Sequence, residues 1–395
     1  MRIQKVEAFP ISLPRDFQTA TGTAGLPAQL KSGTGAYKWS NTVAAVYSER
    51  LETTLVRVTT SEGLIGWGEA QAPVAPRVSA AIVEDILAGV LTGEQFDGTP
   101  LGIEALWNLM FRAMRVRGQT GGFMLDAISG VDLALWDLAG KIQGLPVAAL
   151  IRNSSGAPPL APAYLSGLSG ESIQDKCRFA KSHYEAGFRL VKVFFDKSPA
   201  ELLELLDALS AALGPEARFA VDALWRLEWP ASRGFIEQLA ARNIHWLEAP
   251  FMPDDWDAHR QLARTMPELP LALGESYRTR QEMSWFLDEG LVRFVQPDLG
   301  RSGITESLKI SRAGVQLAPH VSIALGPQIA AAVHLSSALS GSTVCEFNPT
   351  VFESSNRLLR EPLVMEGACY QVPTAPGLGI EFADTVNPPG SVIPS

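Results

Sequence analysis

The chain has 395 residues, 46% hydrophobic and 19% charged, with a net charge of −9 and a pI near 5.2. That is the composition of a globular chain long enough for a full barrel plus a smaller second domain. An acidic balance with no basic cluster excludes nucleic acid as an expected partner, and no run reaches the ~20 apolar residues of a spanning helix.

Residues 1–13 and 52–69 alternate apolar and polar positions and predict strands of an antiparallel sheet, with Ser61-Glu62-Gly63 as the turn of a hairpin. Residue 1 leads straight into this alternation, without a charged stretch and a hydrophobic stretch ahead of it. Cys177, Cys345 and Cys369 are widely spaced and form no CxxC pair, which fits reduced thiols in a cytoplasmic protein. Residues 19–41 are rich in Gly, Ser, Thr and Ala, with Lys31, Tyr37, Lys38 and Trp39 among them. A loop of that length in a compact protein reads as a lid.

Residues 77–117 predict two amphipathic helices, and residues 123–143 a long buried one stopped by Gly144 and Pro146. Asp126, Asp132 and Asp137 on that helix are expected to be surface or capping acids, because no strand end presents them. From residue 162 onward, strands and helices alternate up to Glu346, which predicts a parallel barrel. The expected domains are an α+β capping domain with the lid (1–122), the barrel (123–350) and a Pro- and Gly-rich segment (351–395) folding back on the capping domain.

Four apolar runs in the barrel end in acids: RFAVD at Asp222, HWLE at Glu248, LALGE at Glu275 and FVQPD at Asp298. Two more reach His320 and Glu346, and the successive steps are 26, 27, 23, 22 and 26 residues. Each step suits one strand and one helix with short loops, so the polar residues sit at strand carboxyl ends, where a barrel gathers its active site. Asp222, Glu248 and Glu275 on consecutive units would repel one another without a cation. Three hard oxygen donors suit Mg²⁺, or Mn²⁺, with positions left for water and substrate.

With these strand ends in view, VDA (221–223), WLEAP (246–250), LGES (273–276), QPDLGRSGIT (296–305) and APH (318–320) resemble the barrel motifs of the enolase superfamily, most closely its mandelate racemase subgroup. LVRVTTSEGLIGWGEA resembles that family's capping-domain hairpin, and DAISGVDLALWDLAGK its first barrel helix. The resemblance implies a modified (β/α)8 barrel of (β/α)7β form with an amino-terminal α+β capping domain completed by the carboxyl-terminal segment. It also implies a homo-oligomer, a small-molecule carboxylate substrate, and removal of the proton next to that carboxylate with Mg²⁺ in support. The family's His-Asp dyad falls on His320 and Asp298: an acid on the neighbouring strand fixes the imidazole tautomer and raises the basicity of the other nitrogen. His183, His245, His259 and His334 are expected to be structural.

In LVKVFFD the first lysine of the family's Lys-x-Lys stands at Lys192, but the second is replaced by Phe194, and Leu224 stands where some relatives carry a histidine. Racemisation needs a group on each face of the carbanion; dehydration can proceed with one. The expected activity is therefore acid-sugar dehydration to a 2-keto-3-deoxy acid, with His320 as base, Lys192 as electrostatic anchor and Glu346 hydrogen-bonding the enediolate as a protonated donor. Arg278, Arg301 and Tyr37 are candidate substrate contacts. The alternatives are a racemase or epimerase with a second base from the lid (Lys31, Lys38 or Tyr37), and a non-catalytic relative that binds metal and carboxylate. Cycloisomerisation is less expected, because that subgroup places a lysine on the sixth-unit side, where this chain has the Asp298 and His320 pair.

Overall fold

A computed structural model of the protein describes residues 1–14, 30–31, 37–40, 45–154, 158–321, 324–339, 341 and 343–383. The expected lid is described only in part: 19–29, 32–36 and 41 lie outside the described residues, as does the tail beyond 383. Strands β1 (Ile3–Pro14), β2 (Leu30–Lys31), β3 (Tyr37–Ser40), β4 (Ala45–Ser48), β5 (Arg50–Thr60) and β6 (Ile65–Ala70) open the chain. They form two antiparallel sheets, β1-β5-β6 and β2-β3-β4. The hairpin turns where the sequence places it, with Gly63 at φ 81°, a value glycine adopts without steric penalty.

Helices α1 (Pro76–Ile82) and α2 (Ala88–Leu91), joined by a π-helical turn at Val83–Leu87, and α3 (Pro100–Arg115) follow. The long helix α4 (Phe123–Gln143) ends on Gly144 in the left-handed conformation, and α5 (Val147–Arg152) comes next. Strand β6 lies directly against α4. A Cβ added at Gly66 would fall 2.1 Å from Ala134 O, and one at Gly68 would fall 2.1 Å from Gly130 O, so the Gly66-Trp67-Gly68 spacing is a packing requirement here.

The barrel is β7 (Leu160–Ser166), β8 (Leu190–Phe194), β9 (Arg218–Asp222), β10 (Trp246–Glu248), β11 (Leu271–Leu273), β12 (Phe294–Val295), β13 (Gln316–Leu317) and β14 (Cys345–Phe347), each parallel to the next through β13. Helices α6 (Ile173–Glu185), α7 (Pro199–Leu213), α8 (Arg233–Ala241), α9 (Trp256–Thr265), α10 (Ser284–Asp288), α11 (Leu299–Ser311) and α12 (Pro327–Ala338) alternate with them. Strand β14 runs parallel to β7, with Glu346 opposite Tyr164. On its other side Val344 N donates to Leu317 O (3.1 Å) and Glu346 N to Pro319 O (3.3 Å), which closes the ring. This is the (β/α)7β arrangement with an α+β cap. Among the described residues, no helix is long and apolar enough to cross a membrane.

After α13 (Pro349–Asn356), strands β15 (Met365–Glu366) and β16 (Cys369–Gln371) form a hairpin, and β16 pairs antiparallel with the amino-terminal half of β7. The closing segment therefore joins the barrel first. Its Phe382 reaches the capping sheet, edge-on to Trp67 at 5.4 Å.

The three acids of α4 are buried rather than on the surface. Asp137 accepts from Trp67 N and Leu378 N, both at 2.8 Å, and so ties cap, helix and closing segment together. Asp126 pairs with Arg278 at 2.9 Å. Asp132 accepts from Thr305 N at 3.0 Å and from the Thr305 hydroxyl, restarting α11 after Gly303, whose φ is 65°.

Burial pushes Asp132 up from 3.8 to about 7, against the hydrogen bonds from Thr305. A folded pKa above the unfolded one means that this group's contribution to stability is complete below about pH 4 and lost as pH rises through about 7. Asp132→Asn removes that titration. Urea unfolding is expected to show the variant gaining on the wild type by a few kcal/mol between about pH 5 and about pH 8; parallel pH profiles would contradict it.

Candidate active site

Side chains along a strand alternate, so residues two apart share a face. One layer inside the barrel consists of Tyr164, Leu190, Ala220, Trp246, Ala272, Phe294 and Ala318, with Val344 packed against it. Two residues further on, toward the carboxyl ends, stand Ser166, Lys192, Asp222, Glu248, Gln296, His320 and Glu346. The apolar layer is thus the floor on which the polar residues rest. Glu275, three residues past Ala272, completes the rim after Gly274, where any Cβ would strike the Gln296 backbone at 2.4 Å.

Loops beyond the strands are strained. Leu224 (φ 53°), Trp225 (φ 55°) and Ala249 (φ 42°) occupy the left-handed region directly after Asp222 and Glu248. Such positions cost about 1–3 kcal/mol each and persist only where surroundings over-determine them. Here the kinked backbone lets Leu224 N donate to Asp222 Oδ1 at 3.0 Å, which orients that carboxylate, and Trp225 N donates to Ala249 O at 2.8 Å.

Lys192 is 1% exposed and lies among three acids: Glu248 Oε1 at 2.7 Å, Glu346 Oε1 at 3.0 Å and Asp222 Oδ2 at 3.8 Å. Burial works to lower its pKa, but Glu248 and Glu346 outweigh it and hold it well above the usual lysine value. The three acids around Lys192 favour its charged form. Its ammonium lies 5.6 Å from the Phe194 ring centroid and 5.8 Å from that of Tyr164.

His320 Nδ1 faces Asp298 Oδ2 at 3.1 Å, and Nε2 faces Glu275 Oε2 at 2.9 Å and Glu346 Oε2 at 3.9 Å. The expected dyad forms through a parallel bridge between Asp298 and His320, and Asp298 is fully buried, with its Oδ1 accepting from Gly300 N at 2.9 Å. Burial lowers the imidazole pKa, and Glu275, Glu346 and Asp298 together raise it well above the usual value. The same pairing holds Glu275 down at about 2, against burial.

Glu346 departs from the expected protonated donor. Burial would favour its neutral form, but Lys192 and His320 hold its pKa below the ordinary carboxylate value, and it accepts from Val321 N at 2.8 Å. The Tyr37 hydroxyl accepts from Ala75 N at 3.1 Å within the cap, and Lys38 is paired with Glu49. Arg301 does reach the rim, donating to Glu275 O at 2.8 Å with its Nε buried and unpartnered. Arg278 is committed to Asp126 and Ser276 O.

Ser166, Tyr164 and Gln296 escaped the sequence reading. The Ser166 hydroxyl, the Tyr164 hydroxyl and the Gln296 amide nitrogen are buried at the site, with Ser166 toward Glu346 and Tyr164 toward Gln296. Their signal was the two-residue offset from the interior layer, which carries no acid or histidine to draw attention.

Among the described residues, no three acid, His or Cys side chains already form a ligand cage, because Glu248 is turned to Lys192 and to Trp246 Nε1 (2.9 Å) and Glu275 to His320. The donor chemistry nevertheless fits a hard divalent cation. Glu248 pairs in register with Asp222 across β9 and β10. Burial, then the charge of Glu248, pushes the Asp222 carboxyl well above its usual range, with Lys192 opposing. A concavity of about 980 Å³ lies at the other end of the barrel, lined by Arg218, Ile244, Pro270, Arg293 and Gln316. It holds the residues that begin the strands and none of the converging acids, so the chemistry belongs to the carboxyl-end mouth.

A parallel barrel with acids, a lysine and a His-Asp pair at its carboxyl-end mouth, under an α+β cap, defines a barrel enzyme of the enolase type. The chain belongs to the mandelate racemase and muconate lactonizing group of the enolase superfamily: residues 176–386 match the enolase C-terminal domain-like model, and residues 40–152 match the mandelate racemase / muconate lactonizing enzyme N-terminal domain. It is similar to a D-galactarolactone cycloisomerase of Agrobacterium fabrum, 31% identical over 86% of this chain and 91% of the relative. A D-galactonate dehydratase of Ralstonia pickettii is 29% identical over 84% of this chain and 89% of the relative. A solved structure of an enolase superfamily member from Agrobacterium tumefaciens superposes with a TM-score of 0.88 at 30% identity, covering 97% of each chain.

Proposed function

We propose that this protein catalyses one-base β-elimination on an acid sugar, an aldonate or aldarate, giving a 2-keto-3-deoxy acid. The observation that carries this reading is the asymmetry of the mouth: a His-Asp pair on one side, and on the other Phe194 beside a lysine paired with Glu346. A hard divalent cation held by Asp222, Glu248 and Glu275 would supply positive charge for a substrate carboxylate and compete with His320 for Glu275. Once Glu275 no longer pairs with Nε2, and with Nδ1–H donating to Asp298, His320 presents the Nε2 lone pair to the substrate and takes the α-proton. The electron pair of that C–H bond forms the enol double bond as the 3-oxygen leaves, and the imidazolium returns the proton to the departing hydroxyl as water. Lys192, as a cation, stabilises negative charge developing on the substrate carboxylate. The enol product then tautomerises to the keto acid.

A second reading shares all but the leaving group. Cycloisomerisation, the less expected outcome from the sequence, gains support from a relative of that name that is 31% identical over 86% of this chain. On a sugar-acid lactone whose ring oxygen lies β to the free carboxylate, the same proton abstraction by His320 expels a carboxylate. That group departs without protonation, so again one base suffices.

The test is turnover of aldonates, aldarates and their lactones with Mg²⁺ in D₂O. Keto acid carrying one solvent deuteron at C3 is the expected result, and the substrate that yields it separates hydroxide-type from lactone-type elimination. Recovery of the C2 epimer without any keto acid would move the assignment to an epimerase, and silence toward every acid would leave a binding protein.

A further inference from the structure

The two chain segments that leave the His-Asp pair are both held by the end of one capping strand. Thr53 Oγ1 donates to Glu69 Oε1 at 2.9 Å, orienting a carboxylate that is fully buried. Glu69 Oε1 accepts from Leu325 N at 2.8 Å, and Oε2 from Gln328 N at 3.4 Å. These amides lie just before and within the first turn of α12, where unpaired N–H groups favour a carboxylate. Two residues on, Gln71 N donates to Gly300 O at 2.8 Å, and Gln71 Oε1 accepts from Gln328 Nε2 at 3.0 Å. Gln328 also lies over Gly300, where a Cβ would meet its Cδ at 2.4 Å. The loop is closed at Gly300, whose own N–H holds Asp298 Oδ1.

From this geometry we infer that Glu69 and Gln71 of the cap, with Gln328, are positioning residues for the Asp298–His320 pair, clamping the segment after Asp298 and the segment after His320 to a single strand end. The inference rests on the reading of His320 as the base and adds that the cap aligns the base itself. A displacement of about 1 Å in a reacting group costs up to roughly 10²-fold in rate, so a clamp touching both sides of the pair bears on turnover rather than on affinity.

The test uses Gln71→Met, Gln328→Met and the double variant in the full-length protein. Each single change leaves a buried amide without its partner, whereas the double change removes both partners and leaves no orphaned group, so much of the stability is expected to return. Loss of alignment is not repaired that way. The expected result is kcat lowered about tenfold or more in both singles and in the double, with KM within about threefold, while the melting temperature of the double lies nearer the wild type than either single. Recovery of kcat together with stability in the double would overturn the inference and reduce the link to a structural one. Should the wild type turn over no acid sugar, the functional reading fails on its own account. Amide hydrogen exchange then decides the clamp: faster exchange in both 298–302 and 324–328 of the double variant supports it, and unchanged exchange in those segments overturns it.

Discussion

His320→Asn is expected to lower kcat by about 10²- to 10⁴-fold, the usual contribution of a positioned general base, while KM changes little. The carboxamide can still bond Asp298, so the buried acid keeps a partner, but it has no basic nitrogen to accept the α-proton. Lys192, paired with Glu346, and Phe194, which has no proton chemistry, are not expected to substitute. Exchange of the substrate α-proton with D₂O is expected to vanish in parallel. Retained exchange in a folded His320→Asn protein would show that another group acts as base and would return the lid to consideration.

Withdrawing divalent metal is expected to abolish turnover, and adding Mg²⁺ to raise thermal stability saturably. Asp222, Glu248 and Glu275 bring three carboxylates to adjacent strand ends, and burial with mutual repulsion already pushes Asp222 far above its normal range. A cation binding the folded chain at 100 times its dissociation constant stabilises it by about 2.7 kcal/mol. Asp222→Asn removes one donor and should lose most of the Mg²⁺-dependent shift in melting temperature as well as activity, whereas Arg278→Lys, outside this group, should keep the shift. An Asp222→Asn protein with the wild-type Mg²⁺ response would remove Asp222 from the ligand set. The absence of any shift in the wild type would argue that Lys192 and His320 are the only cations these acids need.

Much of the mouth was legible before the structure, because a barrel forces a repeat on its sequence. Runs of a few buried residues ending in Asp222, Glu248, Glu275, Asp298, His320 and Glu346, at the spacing of one strand and one helix, leave few other arrangements. The resemblance to the family's Lys-x-Lys placed Lys192 and exposed Phe194 as a departure. The capping hairpin was legible too, from period-two alternation around Gly63. Ser166 and Gln296 were not, since neither type stands out among ordinary strand-end residues until the interior layer beneath them is known.

Local sequence by itself determined the order of elements, the strand ends and the charged groups at the mouth, because alternation and turn chemistry act over a few residues. Only the tertiary structure decided what those groups do to one another. Protonation depends on burial and on charges brought together from positions as distant as 192 and 346, so Glu346, expected as a protonated donor, is held ionised by Lys192 and His320. Asp132 and Asp137, which read as helix-surface or capping acids, turn out to be buried and to bind backbone amides more than 60 residues away along the chain. The grip of Glu69 and Gln71 on Gly300, Leu325 and Gln328 joins segments more than 200 residues apart, and no local pattern encodes a contact that exists only once cap and barrel have docked.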